Sequence, residues 1–402
     1  MTNALTQVDS APNPDAPASE PFQLLIVTGA AGDSPADCHE RTQLPIARQG
    51  QAIARILVPG AVKLGDNVEL SADGQQVLAA ASGQVRVRDN RIWVEHILEI
   101  RGDVDYSTGS VEFEQDIIIR GSILDLFRVV SGGSIKVGRA VESAEVRAAV
   151  DLLVAGAIAG KDKGSCVAGR NVAAKHISGA TVEAGNDVIA RTEVCHSRII
   201  CGGQLKVETG AVRASHVTAV GGVHCGVLGC MSSSRTTVEA GIDEPLRRLA
   251  TATVGKIKND RQQIDKLRQT LEPLMRNQKA LTAQQKERAT ELLFRANEVE
   301  EGHQKTVDEL RSRSEESATR VREQIQVEHA LCAGVIIRFP GLEATVPSVV
   351  QGPIRIAPSK DQTDRRIEIL RPGRGAAGFA LETRCTSDDV KSALHMVLAK
   401  RT

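Results

Sequence analysis

The chain has 402 residues, and its 50 basic and 50 acidic side chains cancel, so no global field favours nucleic acid or an anionic membrane. Aromatics supply only 2% of the residues, which argues against the stacking platforms that single-stranded nucleic acid and sugars need. The eight cysteines include no Cys-x-x-Cys pair and suit a reducing compartment, and the longest apolar runs are too short for a transmembrane helix.

Met1 to Pro21 is rich in Ala, Pro, Ser and Asp and lacks a basic start, so residues 1–21 read as a disordered tail rather than a signal peptide, and the expected compartment is cytoplasmic. Gly29-Ala-Ala-Gly-Asp-Ser34 lacks the lysine of a phosphate-binding loop and reads as a turn. Short alternating pieces then follow (Ile53 to Leu57, Val68 to Leu70, Val85 to Val87, Ile92 to Val94), separated by Gly, Asp and Asn. They make residues 22–103 a β-rich segment, suited to cover the end of what comes next.

From Asp116 to about Gly222 the sequence repeats. One column holds Ile117, Ile135, Leu152, Val172, Val188 and Leu205; a second holds Val129, Val146, Cys166, Val182, Ile199 and Val217. Each spans 88 residues in five steps, a period of 17.6. Such a period is far too short for stacked helix pairs and fits one turn of a β-helix made of three short strands. Apolar residues also recur at i and i+2, the strand period, and Asp116, Ser134, Asp151, Asn171 and Asp187 punctuate the rungs where the chain must turn. Residues 104–242 are therefore expected to form a parallel β-helix, or β-solenoid, with Cys166 and Cys201 as small inward residues.

Asp243-Glu-Pro245 then reads as a helix start. Leu246, Ile257, Ile264, Leu267, Leu271 and Leu274 follow a seven-residue pattern, and Thr282-Ala-Gln-Gln285 is a capping box for a second helix carrying Leu292, Ala296, Val299, Val307, Leu310, Ala318, Val321 and Ile325. Residues 243–330 are thus expected to be an inserted antiparallel coiled-coil hairpin, with Pro273 and Gly302 breaking or kinking it and the tip between 276 and 302. Strand signals return over residues 331–371 and are expected to rejoin the solenoid and cover its second end; residues 372–402 read as a tail with a short helix.

The order of β segment, β-helix, helical arm and β return resembles the flagellar assembly protein A family of bacteria. The resemblance rests on Gly102-Asp-Val-Asp-Tyr-Ser-Thr-Gly109, Val111-Glu-Phe113, Asp116-Ile-Ile-Ile-Arg-Gly121, Val141-Glu-Ser-Ala-Glu-Val146, Ala157-Ile-Ala-Gly160, His196-Ser197 and Thr237-Val-Glu-Ala-Gly241. It spans roughly Gln51 to Leu370 and implies a cytoplasmic, non-catalytic protein connected with flagellar assembly, placement or control.

His176, His196, His216 and His224 lie in or beside the repeat. One of them, His196 or His176, would be the base if the chain were a β-helix transferase. Their different rung offsets and the lack of a strict six-residue repeat speak against that reading. Cys195-His196-Cys201 and His224-Cys225-Cys230 offer zinc-type ligands without a tight clasp, and Cys201 falls on an inward column. The outward positions mix Arg, Glu, Lys, Ser and Thr without clustering, which opposes a sugar-cleaving site. No catalytic, cofactor or metal residue is assigned. The expected partners are proteins bound through the arm, a second copy included, and neither nucleic acid nor an integral membrane segment is expected. A bactofilin-like polymer is a further alternative, disfavoured by the capping segments.

Overall fold

The computed structural model describes residues 22–25, 45–58, 60–231, 235–276, 282–359, 361, 365–371 and 378–386. The expected tail over 1–21, the turn at Gly29 to Ser34 and the terminal helix within 372–402 lie outside the described residues. The chain divides into two compact units at Leu98/Glu99. The first holds two four-stranded sheets around Phe22, Ala47, Ile53, Ala54, Val77, Ala79, Val85, Ile92 and Val94. Its strands Gly83–Arg88 and Arg91–Glu95 form a hairpin whose two turn residues, Asp89 and Asn90, both have left-handed φ, the geometry that matches the twist of the flanking strands.

The second unit is a β-solenoid of about eight turns. Both columns read from the sequence are real ladders. Ile117 pairs in register with Ile135, then Leu152, Val172, Val188 and Leu205. Val129 pairs with Val146, then Cys166, Val182, Ile199 and Val217. A third column, not evident from the sequence, runs Val104, Ile123, Val141, Ile158, Ile177, Val194, Val212, Leu228 and Leu331, all fully buried. The three columns fill a narrow interior with aliphatic side chains, each stacked on its equivalent about 4.8 Å away.

The corners are held by side chains that satisfy the backbone of the next turn. Asp103, Asp116, Asp125, Asp151 and Asp187 each accept, through Oδ1, a backbone N–H from the turn that follows: Ser122, Ser134, Ser143, Asn171 and Gln204. Both columns contain one step of 20 residues, and one irregularity explains both: the register shifts between Ala159 and Gly164, where Lys161 and Asp162 take left-handed φ. The Lys161 ammonium there donates to Asp125 at 2.6 Å and to Glu142 at 3.2 Å. At Gly185 a Cβ would lie 2.0 Å from the carbonyl oxygen of Gly169, so only glycine lets successive turns approach so closely.

The helical insertion interrupts the sequence but not the ladder. Val223 pairs with Ile325 and Val238 with Ile337 across it. The solenoid therefore does not end at residue 242. It resumes with strands Ile325–Leu331 and Ile336–Phe339. This corrects the expected arm, which stops at Arg320: Ile325 is a fully buried rung residue, because Ile325, Val327 and Leu331 present a strand pattern that completes two columns. Beyond that turn the strands reverse. Ile325–Leu331 takes Ile354–Pro358 as an antiparallel partner, and Ile336–Phe339 takes Leu342–Thr345. Antiparallel hairpins thus occupy the edges on which another parallel turn would add.

Two helices, α1 (Glu244–Arg276) and α2 (Ala283–Arg320), make up the insertion. Asp243 caps α1, its Oδ1 accepting the Leu246 N–H at 2.8 Å. Leu246, Ala250 and Ile257 pack on Val307 and Leu310, while Lys256 reaches Thr306 and Arg268 reaches Glu300, so the two helices run in opposite directions. Neither expected breaker breaks them. Pro273 sits in the last turn of α1, and Gly302 lies inside an uninterrupted α2, exposed and flanked by packed positions that outweigh its cost of about 1 kcal/mol. The connection between them falls within 277–282 rather than further along towards 302, and residues 277–281 lie outside the described residues. Replacing Ile177, in the third column, by Ala should cost about 3 kcal/mol in chemical denaturation without altering the m-value; an effect below about 0.5 kcal/mol would show that this column does not bear on the core.

Candidate functional site

The histidines do not assemble a catalytic set. His176 sits on the strand Val172–Ala184, half-buried, with its Nε2 3.8 Å from the Cys195 thiol. His196 turns outward at a left-handed corner. It shares a surface groove of about 460 Å³ with Ser197, Arg198, Ser215 and His216. The two serine hydroxyls there are committed to the backbone, donating to the carbonyls of Cys195 and Arg213 at 2.7 Å each. His216 faces the Glu239 carboxylate at 3.7 Å, and burial lowers its pKa, reinforced by Arg198 and Arg338 and opposed by Glu239. His224 pairs with Glu328 at 2.9 Å, across the base of the insertion.

The cysteines that suggested metal are separated by the strand alternation. Cys201 points into the solenoid, its thiol donating to the Gly203 carbonyl at 3.6 Å, whereas Cys195 faces His176 and Ser178. Cys225 is likewise buried. Among the described residues no group of three or more His, Cys, Asp or Glu is placed to hold a metal. Burial pushes the Cys166 and Cys225 thiols up to about 12 and the Cys201 thiol higher still, so none of them supplies a thiolate at neutral pH.

Two features do stand out. The first is the clamp at the root of the helices. Glu239, 2% exposed, accepts from Arg338 at 2.9 Å and from the Thr218 hydroxyl at 3.2 Å. Arg338 also donates to Glu343 at 2.6 Å, and these two carboxylates raise its pKa. Glu239 lies in the last strand before the insertion and Arg338 in the second strand after it, so one ion pair ties the two chain segments flanking the arm. At the start of α1, Glu244 pairs with Arg247 and Arg248, and Arg248 reaches Glu183 on the solenoid at 3.6 Å.

The second is a groove of about 500 Å³ on the outer side of the first column. The outward positions do cluster here, contrary to the sequence expectation. Gly138, Ala155 and Ala173 make a shallow floor between Ile118, Leu153 and Ile189, and Arg120, Lys136, Lys175 and Arg191 rim it. These side chains come from turns 16 to 20 residues apart, so no linear motif announces them. The available signal was the residue after each member of the first column, read down the turns instead of along the chain.

A stack of aliphatic turns with a helical insertion defines a β-solenoid protein. The chain belongs to the Flagellar Assembly Protein A family: the family's beta solenoid domain model matches residues 96–357, more than half of the length. That match takes in both sides of the insertion and the helices themselves. No curated protein and no solved structure matches the chain. Among the described residues no helix is long and apolar enough to cross a membrane.

Two measurements test this description. Arg338→Met should cost about 3 kcal/mol, because it takes the guanidinium from the buried Glu239 carboxylate and leaves it only the Thr218 hydroxyl and the nearby His216 ring, and adding Glu239→Gln should recover most of that loss; additive losses would mean the two do not form one unit. In the native protein at pH 8, an alkylating reagent followed by mass spectrometry should modify the exposed Cys385 while sparing Cys166 and Cys225. With pKa values near 12, only about one in ten thousand of those two thiols is ionised at that pH; equal rates at all three sites would refute the buried placement.

Proposed function

We propose that this chain is a non-catalytic structural or adaptor protein of flagellar assembly, in which the solenoid holds out the helix pair as an antiparallel coiled-coil arm for protein contacts. The observation that carries the reading is the burial pattern of the helices. Ala250, Ile257, Ile264 and Leu271 are buried at seven-residue spacing on α1, and Ala289, Ala296, Leu310 and Ser317 fall in one heptad column on α2. Most of the other described positions on the pair are exposed, and buried or half-buried ones such as Leu246, Thr253, Leu267, Leu292, Val299 and Val307 flank these columns. A seam of this period is the coiled-coil pattern. At about 1.5 Å per residue the legs reach roughly 50 and 57 Å, far more length than the anchoring at Glu183 and Glu239 needs. Surface that long adds little to the solenoid core, so its use is contact with something else. The family match supports the flagellar context.

The test is affinity capture from the native cell with the full chain beside a version in which residues 244–320 are replaced by a short turn. The excision must stop at Arg320, because Ile325 begins a solenoid strand. Flagellar or cell-pole proteins retained by the full chain and lost with the arm are expected. Identical catches from two equally folded versions would remove the arm from the function.

A further inference from the structure

The groove on the first column and the arm are complementary in length and charge. On α2 one face between Glu287 and Glu301 carries Glu287, Glu291, Phe294, Glu298 and Glu301, which fall within an arc of about 80° at 100° per residue. All five are exposed, Phe294 at 73%, an unusual state for a phenylalanine on a helix of a folded protein. No Lys or Arg lies on that face between Glu287 and Glu301.

The groove presents the converse. Its floor of Gly138, Ala155 and Ala173 is a depression for one large apolar side chain, and the nearby cations sit towards both ends of it. Arg120 bonds Glu99 and Arg191 lies 4.0 Å from Glu208, whereas Lys136 and Lys175 have no carboxylate partner among the described residues. From the turn of Arg120 to that of Arg191 is four steps, about 19 Å at roughly 4.8 Å per turn. From Glu287 to Glu301 along α2 is fourteen residues, about 21 Å at ~1.5 Å each. Phe294 is exposed, so its own chain's groove does not hold it.

We propose that the arm of one chain docks in the solenoid groove of a second copy, with Phe294 seated over Gly138, Ala155 and Ala173 and the glutamates beside it facing Lys136 and Lys175. The proposal rests on the arm being a contact surface and names its partner as the same protein. Opposite charges at this partly exposed rim set register and encounter rate, and salt weakens them; the desolvated ring supplies the anchor.

Sedimentation velocity on the full chain at tens of micromolar tests it. Self-association that weakens as salt rises is expected. Phe294→Glu on the arm and Lys136→Glu with Lys175→Glu in the groove should each abolish it, both being exposed substitutions that leave the fold intact by circular dichroism. Mixing the two variants should restore association, since the first retains a good groove and the second a good arm. A wild-type chain that stays monomeric, or association lost with the arm variant but unaffected by the groove variant, overturns the proposal. The groove variant keeps its arm, so arm-dependent capture of flagellar proteins by it would stand even where self-docking fails, and the two readings are separated.

Discussion

In the solenoid each residue of a turn meets its equivalent in the next turn, and everything else in the second unit depends on that coincidence. Parallel backbone pairing fixes the register, and register puts aliphatic on aliphatic in three columns. It also puts each corner carboxylate beside the one N–H that the turn would otherwise leave unpaired, as Asp187 does for Gln204. A slip of one residue would turn every column outward and strand every corner at once. Insertions are absorbed only at corners, which is where Lys161 and Asp162 bulge out and where the helices enter.

Two of the three columns were legible because strong alternation carries them: Ile117 with Ile119, Val129 with Ser131, and so on down the chain. The third was not, because its early members, Val104, Ile123 and Val141, pair as single residues between irregular corners and show no alternation to detect. The continuation through Ile325 was hidden for a different reason. The insertion removes the period by which a turn is recognised, and Val321 and Ile325 happen to extend the heptad spacing of α2, so local pattern favoured helix where pairing with Val223 decided for strand. Gly302 misled in the same direction, since propensity weighs less than the packing on either side of it.

The surfaces were the least legible part. A groove whose walls come from Ile118, Leu153 and Ile189 exists only after folding stacks those residues, and outward positions look like random polar exchange when read along the chain. The histidines and cysteines invited chemistry by being the most distinctive letters in the repeat. Strand alternation then sent Cys195 and Cys201 to opposite sides of the wall, and the serine hydroxyls beside His196 were spent on the backbone.

The root of the arm has a mechanical meaning. The chain leaves after Gly241, whose N–H bonds to the Ala219 carbonyl, and returns at Arg322, whose N–H bonds to the Val220 carbonyl, two adjacent residues of the previous turn. A load on the distal end of the helices therefore pulls on the strands Thr237–Ala240 and Ile325–Leu331 at neighbouring points of one turn, and the Glu239–Arg338 pair ties the first of them to the next strand of its ladder, Ile336–Phe339. Force enters the solenoid across a whole turn and passes to its neighbours through many backbone hydrogen bonds loaded together. Resistance of that kind is governed by the rate at which the native ladder opens, not by its equilibrium stability.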